Sequence, residues 1–107
     1  MKVPKAKALA MLDQQILRFQ ELQSHATFEN RFDDKYSFAY HGTESLLGEL
    51  FSQQEPMDFR MAVTDPIGFS GGSVDKAQEL ADYKRHLKNC AVHLKVYREK
   101  IDNFWSD

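Results

Sequence analysis

The densest gathering of reactive groups is Tyr40-His41-Gly42-Thr43-Glu44-Ser45, which sets a histidine, two aliphatic hydroxyls and a carboxylate within one short stretch. Imidazole titrates near neutrality and can activate a hydroxyl, so this mixture suits general acid-base or nucleophilic chemistry. The spacing matches no catalytic motif, and Thr43 or Ser45 reads more simply as the cap of a helix restarting after Gly42. No catalytic residue is assigned on this basis. Asp33 and Asp34 are likewise helix caps before they are metal ligands.

A second group is His86, Cys90 and His93, at i, i+4 and i+7, with Asp82 one turn before His86. Side chains at i and i+4 can share a zinc ion, but i and i+7 stand about 10.5 Å apart along a helix, too far for one ion to take both histidines unaided. Cys90 is therefore expected as a small core residue bordered by the histidines, with no metal and no cofactor. Lys84, Lys88, Lys95 and Arg98 form a basic row with only Glu99 as an acidic neighbour between Lys84 and Lys100. Such a row is a possible anion-binding flank. The simpler reading is a solvated face whose alkyl stems cover apolar surface. Gly68-Phe69-Ser70-Gly71-Gly72-Ser73 precedes a helix but lacks the lysine of a phosphate-binding loop, so it reads as an ordinary turn.

These groups must be positioned by helices. Leu9, Leu12, Ile16, Phe19 and Gln23 recur at three and four, predicting a first helix from Pro4 to about His25, with Pro4 at its permissive first turn. A second helix is predicted from Asp33 or Asp34, carrying Tyr36, Ala39, Tyr40, Thr43, Leu46, Leu47, Leu50 and Phe51 on one face, with a break near His41 to Thr43 at Gly42. From Ser52 to Gly72 the pattern dissolves into an irregular Pro/Gly-rich loop. Its apolar cluster, Met57, Phe59, Met61 and Val63, alternates like a strand, but a lone strand has no partner, so a short helical turn or an ordered loop packed on the bundle is expected. The last helix runs without Pro or Gly from Val74 to Trp105, with Ser73 as its N-cap.

The expected fold class is thus all-α: a single helical domain over 1-107, a three-helix bundle with a long C-terminal helix. Composition agrees, since 107 residues that are 42% hydrophobic and 28% charged support one modest core. Sixteen acidic against fourteen basic residues give a net charge of -2, which makes nucleic acid an improbable partner. No apolar run reaches the roughly 20 residues of a membrane span, and the one cysteine cannot form an internal disulfide, so a reducing cytoplasm and no membrane are expected.

On the last helix Leu80, Tyr83, Leu87, Cys90, Leu94, Tyr97, Ile101, Phe104 and Trp105 fall within one arc. At 1.5 Å per residue that helix is about 48 Å long and the first about 33 Å, so part of the seam outruns its cover. Either the Pro/Gly-rich loop folds over the remainder or a second polypeptide does. The second option makes Tyr83, Leu87, Leu94, Tyr97, Ile101, Phe104 and Trp105 an interface, most simply in a homodimer, with another protein as a possible partner.

Tyr36 to Phe51, with Tyr40, Thr43, Leu46, Leu47, Leu50 and Phe51 in register, resembles the aromatic-x2-Thr-x2-Leu-Leu-x2-aliphatic-Phe stretch of small helical regions accompanying Toll/interleukin-1-receptor-like and abortive-infection proteins of bacteria. The first helix, ending in Glu21-Leu22, and the long last helix are similar too. The resemblance implies an accessory or oligomerising region of an antiviral defence system and carries over no catalytic residue. The functional expectation is a helical protein-protein interaction and oligomerisation module. The alternative is a small enzyme or toxin acting on nucleic acid, with His41, Glu44, Lys84 and Arg85 as its first residues to test.

Overall fold

Two of the helices begin where an aspartate side chain accepts from free N-H groups, and the first begins just after a proline, with no side-chain cap. The computed structural model describes residues 3-51, 54-63 and 75-105. Helix α1 spans Lys5–Ser24, α2 Asp34–Leu50, α3 Gln54–Val63 and α4 Lys76–Phe104, with no strand among the described residues. The all-α class holds, with four helices among the described residues in place of three.

Asp33 caps α2, its carboxylate accepting from the Tyr36 N-H at 3.2 Å. Asp75 caps α4 by accepting from the N-H groups of Ala77 and Gln78, so the cap lies two residues beyond Ser73, which falls outside the described residues together with the glycine cluster. The break expected near His41 to Thr43 is absent: α2 runs unbroken through Gly42. Thr43 caps nothing; its hydroxyl is buried and donates to the Ala39 carbonyl one turn back at 2.8 Å. The ladder tolerates Gly42 because α2 is held on its packed face by Ala39, Leu46, Leu47 and Leu50.

The alternating cluster Met57, Phe59, Met61, Val63 belongs to α3. In a helix a period of two splits into two i, i+4 pairs on opposite sides. Phe59 and Val63 are fully buried, whereas Met57 and Met61 face outward. The expected irregular loop is therefore helical from Gln54 to Val63, and its remainder lies outside the described residues.

Contacts at the termini fix the topology. Trp105 donates its indole N-H to the Val3 carbonyl at 2.9 Å, Lys5 donates to the Asp102 carbonyl at 2.7 Å, and Arg98 donates to Asp13 at 2.6 Å. The start of α1 thus lies against the end of α4, an antiparallel pair that is the most extensive in the bundle. Helix α2 runs back beside α1 and parallel to α4, with Tyr36 at His86 and Phe51 at Tyr97. Helix α3 reverses again, carrying its last carbonyl, Val63, to His86. The result measures 53 × 24 × 21 Å, and none of its described helices is long and apolar enough to cross a membrane.

Between α1 and α2 the chain passes through Phe32 at φ 52°. This left-handed conformation costs a side-chain-bearing residue on the order of 1 kcal/mol. The Phe32 ring offsets it by packing edge-on against Tyr83 and Tyr36, at 4.8 and 5.0 Å between centroids.

Candidate functional site

The seam of α4 is not a free surface. Tyr83, Leu87, Leu94, Tyr97 and Ile101 are all no more than 7% exposed within the single chain. Helix α1 covers one side of the arc, and α3 with the aromatic edge of α2 covers the other. The proposed interface therefore needs correcting at these five positions: the shelter that the first two helices lack is provided by α3. Trp105 is partly buried, its ring edge-on to Phe51 as well as bonded to Val3. Of the seven positions only Phe104, at 83% exposed, faces solvent.

The basic row is divided in the same way. Lys84, Lys88 and Lys95 are exposed, whereas Arg98 is engaged by the Asp13 carboxylate. Four equivalent cations for an anion are therefore not available on this flank.

His86 stands where α2, α3 and α4 meet. Its Nδ1 lies 3.0 Å from the Val63 carbonyl oxygen and its Nε2 2.7 Å from the Tyr36 hydroxyl. A carbonyl only accepts, so Nδ1 carries a proton, and in the neutral ring Tyr36 then donates to Nε2. Tyr40 stacks on the imidazole at 6.1 Å and Phe32 lies beside it. Burial pushes the Tyr36 hydroxyl well above its ordinary value, with the sulfur of Cys90 and the neighbouring tyrosines adding to the shift. Cys90 Sγ is 3.8 Å from the same Nε2, but burial holds its thiol up at about 12. A thiol that stays protonated at neutral pH, beside a ring nitrogen already engaged by Tyr36, is not an activated nucleophile. His86 and Cys90 are brought together as their spacing implied, yet as a structural node, and no His/Cys/Asp/Glu group suited to a metal occurs among the described residues. Asp82 turns instead to Gln78 and Arg85.

The cluster on α2 is partly assembled. His41 Nδ1 lies 3.4 Å from Glu44 Oε1, and Arg60 of α3 grips Glu44 Oε2. Glu44 Oε1 itself is buried and accepts no hydrogen bond, so the His41 contact is a charge neighbour without bonding alignment. His41 projects into solvent while Glu44 is largely covered. Lys84 and Arg85 sit on α4, where Arg85 pairs with Asp82 at 2.9 Å. Arg60, which ties Glu44 to α3, was not legible as a partner because its segment reads only as a short helical turn or an ordered loop, with no face fixed toward α2.

The surface that sequence reasoning missed lies between α1 and α2. Arg18, Glu21, Leu22 and His25 of the α1 side face Asp33, Lys35, Phe38 and Ala39 of the α2 side across a groove of about 520 Å³. Its apolar floor comes from Leu22 and Ala39, which extend the core outward. Phe38 forms one wall and is 78% exposed. On the other side of the same ring a shallower concavity is lined by Asp34, Ser37, His41, Gly42 and Ser45. The signal was present in the sequence: Phe38 lies off the stripe of Tyr36, Ala39, Thr43, Leu46 and Leu50, an aromatic on the polar side of an amphipathic helix.

The chain matches no protein-family model, no curated protein and no solved structure.

Proposed function

We propose that this chain is a helical protein-interaction module that works by self-association, with its contact surface on the outside of α1 and α2 and not on the seam of α4. The reading is carried by Phe38, a large aromatic 78% exposed beside a groove with an apolar floor. A filled core has no need of that ring, and an exposed aromatic standing next to a concavity is the usual form of an interface anchor. The candidate chemical groups support the same reading, since His86, Cys90, Tyr36 and Glu44 are committed to bonds or contacts within the bundle. The resemblance of Tyr36 to Phe51 to helical regions of bacterial defence proteins adds the proposal that the assembly serves as an accessory to an antiviral effector.

Light scattering over about 1 to 200 µM tests this, a range that brackets the affinity of a small interface. Mass rising from monomer to dimer with concentration is expected. A monomer mass at every concentration overturns self-association.

A further inference from the structure

We propose that α3 is a strap: it releases and melts as one unit while α1, α2 and α4 stay assembled, uncovering the strip of α2 and α4 that it shelters. This holds whether or not the chain self-associates. Helix α3 packs on α2 and α4, and its backbone does not approach that of α1. Its release leaves the ties among the other three helices in place: Trp105 to Val3, Arg98 to Asp13, Tyr36 to His86 and Phe51 to Tyr97.

The hold on α3 is the weakest in the bundle. Its buried residues are Phe59 and Val63, against five each on α1 and α2 and seven on α4. Met57 and Met61 face solvent. Its polar ties are the Val63 carbonyl on His86 and the grip of Arg60 on Glu44. The Arg60 side chain is 62% exposed, and an ion pair so open to water contributes little. At ten residues α3 also falls short of the roughly 12 to 15 that an isolated helix needs. It is helical because it is docked, so release and loss of its hydrogen bonds are a single step, the behaviour of a low-stability unit within a larger fold.

What α3 covers is an aromatic strip. Phe59 lies against the Tyr40 ring at 5.9 Å between centroids, Val63 meets His86, and the Glu55 carboxylate stands beside the Tyr97 hydroxyl. Release leaves a slot about 15 Å long on α2 and α4. The part of the α4 seam that is closed in the docked form is then open.

Amide hydrogen exchange, followed by NMR at rising urea below the unfolding midpoint, tests this on the full chain. Relative to their intrinsic rates, the α3 amides from Phe59 to Val63 are expected to exchange together, about 100-fold or more faster than those of Leu87 and Leu94, with a shallow but measurable urea slope that reflects release of one short helix. Two variants separate the units. Arg60→Ala loosens the docked form against both the released and the unfolded states, so it should speed the α3 and α4 amides by the same factor, about threefold. Ile16→Val trims a buried contact that the released state keeps, so it should speed the α4 amides about fivefold and the α3 amides by less than about twofold. Amides of α3 that match Leu87 and Leu94 in protection and urea slope, or that respond as strongly to Ile16→Val, overturn the strap, because α3 then unfolds only with the bundle. Exchange in α3 that is independent of urea overturns it too, because single bonds then fluctuate without release.

Discussion

The Tyr36 hydroxyl lies 2.7 Å from His86 Nε2, and the opposite nitrogen of the same ring lies 3.0 Å from the carbonyl of Val63. One imidazole thereby ties the first turn of α2 to the last residue of α3 across α4. Val63 is the end of α3, where helix carbonyls lack intrahelical partners, so His86 satisfies an acceptor the helix leaves open.

Tyr36→Phe keeps the ring and removes the donor, leaving Nε2 of a partly buried imidazole without its partner. A loss of about 1 kcal/mol is expected, the usual cost of one such bond. His86→Ala should cost more, about 2 to 3 kcal/mol, because it also frees the Val63 carbonyl and removes the surface on which Tyr40 stacks. Urea unfolding of both variants checks the order. Equal stability of Tyr36→Phe and wild type would show the bond to be energetically idle.

Much of this framework was legible because its cause is local. The period of Leu9, Leu12, Ile16 and Phe19 gives α1, and Asp33 caps α2 as its side-chain chemistry requires. The seam of α4 was legible as a seam, but not what covers it, because that depends on α3, whose four apolar residues read as an alternation until a helix places them on two faces. The lengths of α1 and α2 alone left part of the seam uncovered; α3 packs on α4 and Leu94 and Tyr97 are buried, and Tyr97 sits near enough to the Glu55 carboxylate for its hydroxyl to be pushed up to about 12, by burial first and by that carboxylate second. Gly42 was over-read as a break: its cost is a property of one residue, whereas the helix is held by the row from Ala39 to Leu50. Of the groove only Phe38, an aromatic off the buried stripe, was legible; the concavity itself was not, since it depends on how α1 and α2 are set against each other.

The end of α4 separates two aromatics that the sequence presents as equals. Trp105→Ala removes the bond to Val3 and the edge contact with Phe51, and with them the tie between the two ends of the chain. About 2 kcal/mol is expected, below the 3 to 5 of a fully buried aromatic because Trp105 is only partly covered. Phe104→Ala, at a position 83% exposed, should stay within about 0.5 kcal/mol of wild type. Thermal melts of the pair decide it. A Phe104→Ala variant as unstable as Trp105→Ala would mean that its ring is covered in solution.

Gly42 offers a substitution in the opposite direction. A Cβ built there meets Gln15 Nε2 at 3.7 Å and Gln15 Oε1 at 4.0 Å, ordinary contact with the flexible end of a side chain. Gly42→Ala therefore keeps the helix geometry while restricting the unfolded chain, and should stabilise by about 0.5 to 1 kcal/mol, raising Tm by several degrees. A lower Tm would show that Gln15 cannot yield.

The alkaline limb of stability carries the clearest dependence on pH. The Cys90 thiol is raised by burial from 9.0 to about 12, and all four tyrosines are raised from 10.0 with burial as the leading cause. Between 9 and 12 the unfolded chain gives up the thiol proton while the native chain keeps it. The unfolded state then binds fewer protons, so stability, complete below 9, falls as pH rises toward 12. Cys90 is the first of these groups to act, because its unfolded thiol titrates before any tyrosine. Cys90→Ala should be less stable than wild type at about pH 8, from the lost packing, yet lose less between about pH 8 and pH 10. Urea midpoints of the two proteins at both pH values provide the comparison, and native Cys90 should react slowly with a disulfide reagent throughout that range. Parallel losses in the two proteins, or rapid modification of the native thiol, would show that the sulfur is open to water.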